Sequence, residues 1–257
     1  KHLLMQHAEE DKNYMKSRKP PHDEHQDEKI KALVDSGKLS PFENPNHLIR
    51  LLAMQLGRFV GTRGRKEMFE EKWKNVLFGE YDGGPHKGVK YGKFNVLGGY
   101  DKTHTMKLEP HEREFKPQVM ENPADDHCVY KLLRAYRNWC HPEQKHLFFY
   151  TNNSATLQGY QYYRLKPVGY HMLCKWQKDL AESAGITGAG RWTPHMNQHH
   201  CARAMAESGL PLEQICLHTR HKSVGGLKPY LHRTAITQAQ TQAALLKNPQ
   251  LMPDCDG

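Results

Sequence analysis

The chain has 257 residues, enough for one large domain or two small ones with an apolar core, and its net charge of +9 favours a polyanionic partner. Its six scattered cysteines form no C-x-x-C pair, which argues against a zinc ribbon or a disulfide framework and favours a reducing compartment. No run of 18 apolar residues and no charged-then-apolar leader occurs, so neither a membrane span nor a secretory signal is expected.

The first 60 residues are predicted to form a charged arm and two helices. Residues 1–28 carry many charges and no sustained apolar period, which is typical of an extended arm or linker. A short helix is predicted next, ending near Gly37. A second helix is predicted from Asn44, a capping residue followed by proline. Its broad apolar face is expected to be buried and consists of Leu48, Ile49, Leu51, Leu52, Leu56 and Phe59.

The next region is predicted to be a helix followed by a small antiparallel sheet. A glycine-flanked turn in FVGTRGRKEMFEEKW leads into a helix that carries Met68, Phe69 and Trp73. A strand follows through Val76 to Phe78. The segments KYGKFNVL and HTMKLEP flank GGYDKT, so residues 75–110 are predicted to form antiparallel strands with lysine-bearing turns.

The rest of the chain is predicted to be mostly helical. DHCVYKLLRAYRNWC has an apolar period near 3.6, LFFY is typical of a short buried strand, and PVGYHMLCKWQKDLAESAGI ends at Gly185 as a capped helix does. Helical segments PHMNQHHCARAMAESG and PLEQICLHT follow, with a turn at RHKS. The predicted fold class is therefore α+β, mainly helical, with a small antiparallel β-sheet.

The C-terminal part contains polar residues at distinctive intervals: TPHMNQHHCARAMAESGLPLEQICLHTRHKSVGGLKPYLHRT. His195 stands at the start of a predicted helix, and Gly209 marks the turn after it. His221 follows Gly209 by twelve residues, and Tyr230 follows His221 by nine.

These intervals resemble the H-x-x-R, G-H-x-S and tyrosine pattern of tyrosine recombinases. SGLPLEQI, HKS and the ending Tyr230-x-x-Arg233 are similar to the Crypton type in particular, known from transposable elements and their domesticated descendants. RLKPVGYHMLCKW resembles a Crypton helix. FVGTRGRKE resembles the G-x-R-G-x-x-E turn, which assigns Arg63, and GGYDKTHTM resembles the hairpin of the catalytic lysine, which assigns Lys102 with Lys90 and Lys93 as rivals.

The resemblance implies cleavage and rejoining of double-stranded DNA through a 3′-phosphotyrosine bond, in recombination or integration, without a cofactor or a small-molecule substrate. It implies a nuclear protein that acts as a dimer or tetramer on DNA. Residues 29–247 would form the catalytic domain, after the arm of residues 1–28 and before a tail of residues 248–257. The DNA-contacting residues would be Arg65, Lys66, Arg220, Lys222 and Arg233.

One position departs from the pattern, because Gln198 stands three residues after His195, where the second catalytic arginine is expected. An amide has neither the charge nor the fork of a guanidinium, and losing one preorganised donor typically slows such a reaction about 100- to 1000-fold. Arg203 lies about 140° round the helix from Gln198, so Arg220, beside His221, is the better substitute. We expect Arg63, His195, His221 and Tyr230 to converge in one basic cleft, with Gln198 on its rim.

Two functions therefore remain open: a recombinase, and a catalytically inactive DNA-binding or protein-interaction module derived from one. A scaffold unrelated to nucleic acid is a third alternative. His195 and His199 are spaced as two metal ligands on one helix face, but MNQ between them lacks the glutamate of the H-E-x-x-H motif. Zinc protease chemistry is therefore disfavoured.

Overall fold

The computed structural model describes residues 23, 25–62, 68–69, 71–95, 116–152, 159–221 and 223–227. Its helices in these ranges are α1 (Gln26–Asp35), α2 (Pro45–Val60), α3 (Val129–Trp139), α4 (Tyr170–Ser183), α5 (His195–Glu207), α6 (Leu212–Thr219) and the short α7 (Val224–Leu227). Its strands are β1 (Val76–Glu80), β2 (Lys90–Phe94), β3 (Gln118–Met120), β4 (Phe149–Thr151) and β5 (Tyr163–Pro167). The prediction of a mainly helical α+β fold is confirmed.

Helix α2 is the centre of the packing. The side chain of Asn44 accepts hydrogen bonds from the backbone N–H groups of Asn46 and His47, and Pro45 occupies the first turn, so the helix begins where its capping signal predicts. Its apolar residues are buried among α3, α4 and α5. Phe59 is the exception, since it is 57% exposed. It lines a groove of about 570 Å³ beside α1 and α5 instead of entering the core.

Five short strands form two antiparallel sheets in the described ranges. The first has the order β1-β2-β3, with Val76 opposite Phe94 and Gly92 opposite Val119. The two strands predicted first are therefore present. HTMKLEP, the third predicted strand, lies outside the described residues. The described partner on that side of β2 is Gln118–Met120. The second sheet pairs β4 with β5.

Two predicted helical segments differ in the structure. Trp73 lies in a single 3-10 turn, Trp73–Asn75, because its N–H donates to the carbonyl of Lys145, a distant part of the chain. The predicted helix around Met68 and Phe69 therefore does not continue to Trp73. RLKP forms most of β5, and α4 begins only at Tyr170. Pro167 explains the second difference, since proline and its preceding residue disfavour a continuous helix.

The remaining predicted helices are present, and α1 begins at Gln26, close to the predicted end of the arm. Residues 1–22 and the predicted tail lie outside the described residues. Asp23, just before α1, is buried, and its carboxylate accepts from Lys29 and from the N–H of Thr187. Within the described ranges, no helix has both the length and the apolar composition to cross a bilayer.

Candidate active site

The turn after α6 contains the two predicted site residues Arg220 and His221. Thr219 ends the helix, and Arg220 adopts a left-handed backbone conformation with φ of 58°. This conformation is uncommon for a residue with a side chain, and helix ends of this type usually carry glycine. Glycine, which the G-H-x-S pattern has at this position, would adopt this conformation without strain, whereas Arg220 adopts it at some cost.

The side chain of Arg220 joins this turn to the end of α2. Its Nη2 donates to the carbonyl of Gly61 at 3.0 Å, and the Nε2 of His218 donates to the carbonyl of Phe59 at 2.8 Å. Gly61 ends α2 with φ of 62°. A Cβ at Gly61 would lie 3.3 Å from the sulfur of Cys201 and 3.5 Å from the Cα of Thr219, so α2, α5 and α6 meet closely at this point.

Gln198 is held inside the protein, and this differs from the expectation that it would line the rim of a cleft. Its side chain is 1% exposed, and its Nε2 donates to the carbonyl of Thr219 at 2.6 Å. A buried carbonyl needs such a donor. Gln198 therefore ties the first turns of α5 to the turn that carries Arg220 and His221.

The two histidines of the pattern belong to the two segments that this hydrogen bond joins. His195 is exposed at the first residue of α5, three residues from Gln198 and so on the same side of the helix. Its ring contacts that of His199, with centroids 4.7 Å apart. His221 is partly exposed, and its Nδ1 lies 2.6 Å from the hydroxyl oxygen of Thr219. Among the described residues, no group of three His, Cys, Asp or Glu side chains is arranged to hold a metal ion.

A second polar network anchors α5 from its other side. His200 contacts Gln26 through Nδ1 and Asp27 through Nε2, and Asp27 also accepts from Nη1 of Arg58 at 2.5 Å. Burial opposes the charge on Asp27, but the hydrogen bond from His200 and the charge of Arg58 outweigh it and lower its pKa to about 2. Burial lowers the pKa of His200, against the hydrogen bond to Asp27, which raises it.

Several predicted site residues cannot be placed against this geometry. Outside the described residues lie Arg63, Arg65, Lys66, Lys102, Lys222, Tyr230 and Arg233. The rival lysines are on β2, where Lys90 is the first residue and Lys93 stands opposite Leu77. The described residues bring together Gln198, Arg220 and His221, together with the end of α2.

Sequence reasoning missed the residues that hold these elements in place. Thr219 stands two residues before His221, and a hydroxyl at that distance was the available signal. Gly61 belongs to the turn motif FVGTRGRKE, which gives no sign of its close contact with α5 and α6. The contacts of Asp27, Arg58 and His200 join three separate helices, and no local pattern could have paired them.

The fold is that of solved tyrosine recombinases. The chain is similar to the XerH site-specific recombinase bound to palindromic difH substrate in a post-cleavage complex, with a TM-score of 0.54, 16% identity, and coverage of 89% of this chain and 53% of that one. It is also similar to the XerA recombinase, with a TM-score of 0.51, 16% identity, and coverage of 91% and 66%.

A pre-cleavage complex of XerH with difH substrate gives a TM-score of 0.53 at 16% identity, covering 90% of this chain and 56% of that one. This chain thus spans between 53% and 66% of the length of these recombinases. No protein-family model matches the sequence, and no curated protein matches it significantly. At 16% identity, the likeness shows a tyrosine recombinase-like fold.

Proposed function

We propose that this chain binds duplex DNA and cuts and rejoins its strands through Tyr230, with a 3′-phosphotyrosine intermediate. One observation carries the proposal: a hydrogen-bonded cluster joins three segments that the sequence pattern marks as parts of one site. They are the end of α2 directly before Arg63, the first turns of α5, and the turn Thr219–Arg220–His221. The XerH complexes with difH substrate have the same fold, which supports DNA as the partner.

In the proposed reaction the Tyr230 oxygen forms a bond to phosphorus, and the bond from phosphorus to the 5′ oxygen breaks. The tyrosine proton passes to a base in the site, and Lys102 gives a proton to the leaving oxygen. Arg63 and Arg220 would offset the negative charge that develops on the non-bridging oxygens. Reversal by a DNA hydroxyl reseals the strand, since the ester bond keeps the energy of the broken one.

Arg220 is the described guanidinium nearest in the chain to the proposed nucleophile and to His221. Its Nη2 donates to the carbonyl of Gly61, and the residue is partly exposed. This hydrogen bond holds Arg220 where the end of α2 meets the turn after α6. We propose that it takes over part of the role of the arginine that Gln198 replaces. A Crypton-type origin, a nuclear location and assembly as a dimer or tetramer on DNA belong to the same proposal.

The second candidate function is a DNA-binding or protein-interaction module without strand transfer. The burial of Gln198 favours it, because the side-chain amide is committed to the carbonyl of Thr219. This amide presents neither a charge nor a fork to a phosphate, and an arginine at the position would present both.

Trapping of a covalent adduct separates these functions. The protein is incubated with a pool of nicked duplexes of randomised sequence, and adducts are counted on a denaturing gel. We expect an adduct with the unmodified chain and none with Tyr230→Phe, which removes only the nucleophilic oxygen. Tyr170→Phe, at the exposed start of α4, is the matched control and should leave the adduct unchanged.

Gln198→Arg should raise adduct formation by about 100-fold or more, because it restores a guanidinium to the phosphate site. Its Nε or Nη groups can still donate to the carbonyl of Thr219. If a folded, DNA-binding Gln198→Arg variant forms no adduct, strand transfer is lost from this chain and the binding module is the correct function.

A further inference from the structure

The three-stranded sheet buries one of its faces and turns the other toward solvent. On the buried face, a Cβ at Gly92 would lie 3.1 Å from the side chain of Leu133 on α3, and Phe78 packs edge-on against Tyr130 of the same helix. Successive residues of a strand point to opposite faces, so the alternate residues belong to the other face. In the described strands they are Leu77 and Gly79 on β1, Tyr91 and Lys93 on β2, and Gln118 and Met120 on β3.

Aromatic rings cover one end of this solvent-facing side. The ring of Tyr91 lies across Gly79, since a Cβ at Gly79 would be 2.7 Å from its Cζ atom. Tyr81 follows β1, and its ring centroid is 4.8 Å from that of Tyr91 and 5.9 Å from that of His86. Gln118 donates to the hydroxyl of Tyr81 at 2.5 Å, so the cluster is attached to all three strands. These side chains, together with Leu77 and Lys93, form the sheet surface.

The cover over Gly79 explains only part of the sheet surface. An aromatic ring that packs over a strand glycine stabilises a sheet, and this accounts for Tyr91. It does not account for Tyr81 and His86, which extend the cluster beyond the strands, or for Leu77, which is 49% exposed. Neighbouring exposed apolar side chains with a polar rim are typical of an interaction site.

The charge of the sheet surface is positive. Lys93 is the charged residue of this face within the described strands, and Lys116 is exposed two residues before Gln118. Glu80, the carboxylate of the same strands, falls on the other face by the alternation of the strand. Cations without carboxylates between them favour an anionic partner.

We propose that the sheet surface binds a single strand of DNA whose bases are unpaired. An unpaired base exposes a flat face that stacks on an aromatic ring, and lysines beside the rings meet the phosphates. Sheets with aromatic side chains on their open face bind single-stranded nucleic acid in this way. The bases of a duplex are already stacked on one another, so a duplex cannot use the rings. The inference rests on the proposed function only in taking DNA as the partner, and it does not require strand transfer.

Fluorescence anisotropy of the full chain with two labelled DNA probes tests the proposal. One probe is a thymidine oligomer of about 16 nucleotides, which does not pair with itself and is long enough for one site of this kind. The other is a duplex of the same length. Tyr81→Ala should lower the affinity for the oligomer by about 5- to 150-fold, the usual effect of losing one base–ring stack, and leave the affinity for the duplex unchanged.

Two further variants separate the rings from their other contacts. Tyr81→Phe keeps the ring and loses the hydrogen bond from Gln118, so it should bind the oligomer as the unmodified chain does. Tyr91→Leu still covers Gly79 but offers no ring, so it should weaken oligomer binding as Tyr81→Ala does. Tyr170→Ala, at the exposed start of α4, is the matched control and should leave both affinities unchanged. Thermal unfolding shows whether each variant is folded.

Three results would overturn the proposal. The first is an unmodified chain that binds the duplex and not the oligomer, which leaves the DNA partner of the proposed function intact. The second is unchanged oligomer affinity in folded Tyr81→Ala and Tyr91→Leu. The third is a loss in Tyr81→Phe as large as in Tyr81→Ala, which would assign the effect to the hydroxyl contact. Should Tyr91→Leu prove unfolded, the two Tyr81 variants still decide.

The outcome for the proposed function is separate. A chain that binds neither probe overturns both the sheet surface and DNA as the partner. If the oligomer binds with the expected losses but the trapping assay gives no adduct, the sheet surface is supported and strand transfer is the part that fails.

Discussion

Arg58 is a buried guanidinium whose charge is compensated by Asp27. It is 3% exposed, and its Nη1 lies 2.5 Å from Oδ1 of Asp27. We expect Asp27→Asn to lower the free energy of unfolding by about 1–3 kcal/mol, since removing one partner leaves an uncompensated buried charge. The loss should stay below that of a fully buried pair, because the Asp27 side chain is 64% exposed. Urea denaturation measures the difference.

Asp35→Asn on the same helix is the matched control. Lys31 and Asp35 also form an ion pair at 2.5 Å, but their side chains are 73% and 57% exposed. Such a pair contributes about 0.5 kcal/mol or less. If Asp27→Asn and Asp35→Asn lower the free energy of unfolding equally, burial of Arg58 does not determine the effect of losing its partner.

The effect of Asp27 should also depend on pH in one direction. Its pKa is lowered from 3.8 to about 2 in the folded protein, so its charged form is favoured by folding. The stability it contributes is therefore complete above about pH 4 and is lost as the pH falls toward 2. The difference between the unmodified chain and Asp27→Asn should shrink in that window and stay constant above it.

The junction of α2 with α5 and α6 depends on Gly61. We expect Gly61→Ala to cost more stability than the left-handed backbone alone explains, which is about 1–2 kcal/mol, because the new Cβ would lie 3.3 Å from the sulfur of Cys201. Adduct formation should fall as well, since the carbonyl of Gly61 accepts from Arg220. Thermal unfolding and the trapping assay measure the two effects.

Gly37→Ala isolates the backbone cost. Gly37 has φ of 72°, and no heavy atom lies within 4 Å of the position that a Cβ would take there, so alanine should cost about 1–2 kcal/mol and leave adduct formation unchanged. Indistinguishable stability and activity in the two variants would mean that the junction tolerates the extra carbon and that its close packing is not required.

Elements defined by local signals were predictable from the sequence. Asn44 and Pro45 start α2 because a cap and a first-turn proline act within a few residues. The 3-10 turn at Trp73 was not predictable, because the backbone N–H of Trp73 donates to the carbonyl of Lys145, 72 residues further on. The ordered pattern of His195 and His221 indicated a site, but the burial of Gln198 follows from its bond to Thr219, a tertiary contact that no spacing encodes.

For the whole molecule, the net charge of +9 leads to a prediction about duplex DNA. Lysines and arginines that neutralise phosphates release counterions, so affinity falls steeply as salt rises. If the domain neutralises about 6–10 phosphates, its affinity should fall by about 10³- to 10⁵-fold between about 50 and 200 mM salt. Fluorescence anisotropy with a labelled duplex gives the slope of the logarithm of the affinity against the logarithm of the salt concentration.

Two charge variants check where the slope comes from. Arg220→Gln should lower it by about one, as expected for loss of a single phosphate contact. Lys31→Gln should leave it unchanged, because Lys31 pairs with Asp35 on α1. An affinity that does not change over this salt range would contradict binding through phosphates, whatever the fold.

Arg220 holds a left-handed conformation that glycine would adopt without strain. A side chain kept at such a position is maintained against the preference of its own backbone. In a library randomised at codon 220, selection for thermal resistance alone should enrich glycine over alanine, because a Cβ in this left-handed conformation costs about 1–2 kcal/mol of stability. Selection for DNA joining should enrich arginine instead. Which residue survives each regime would reveal whether evolution retained Arg220 for folding or for chemistry.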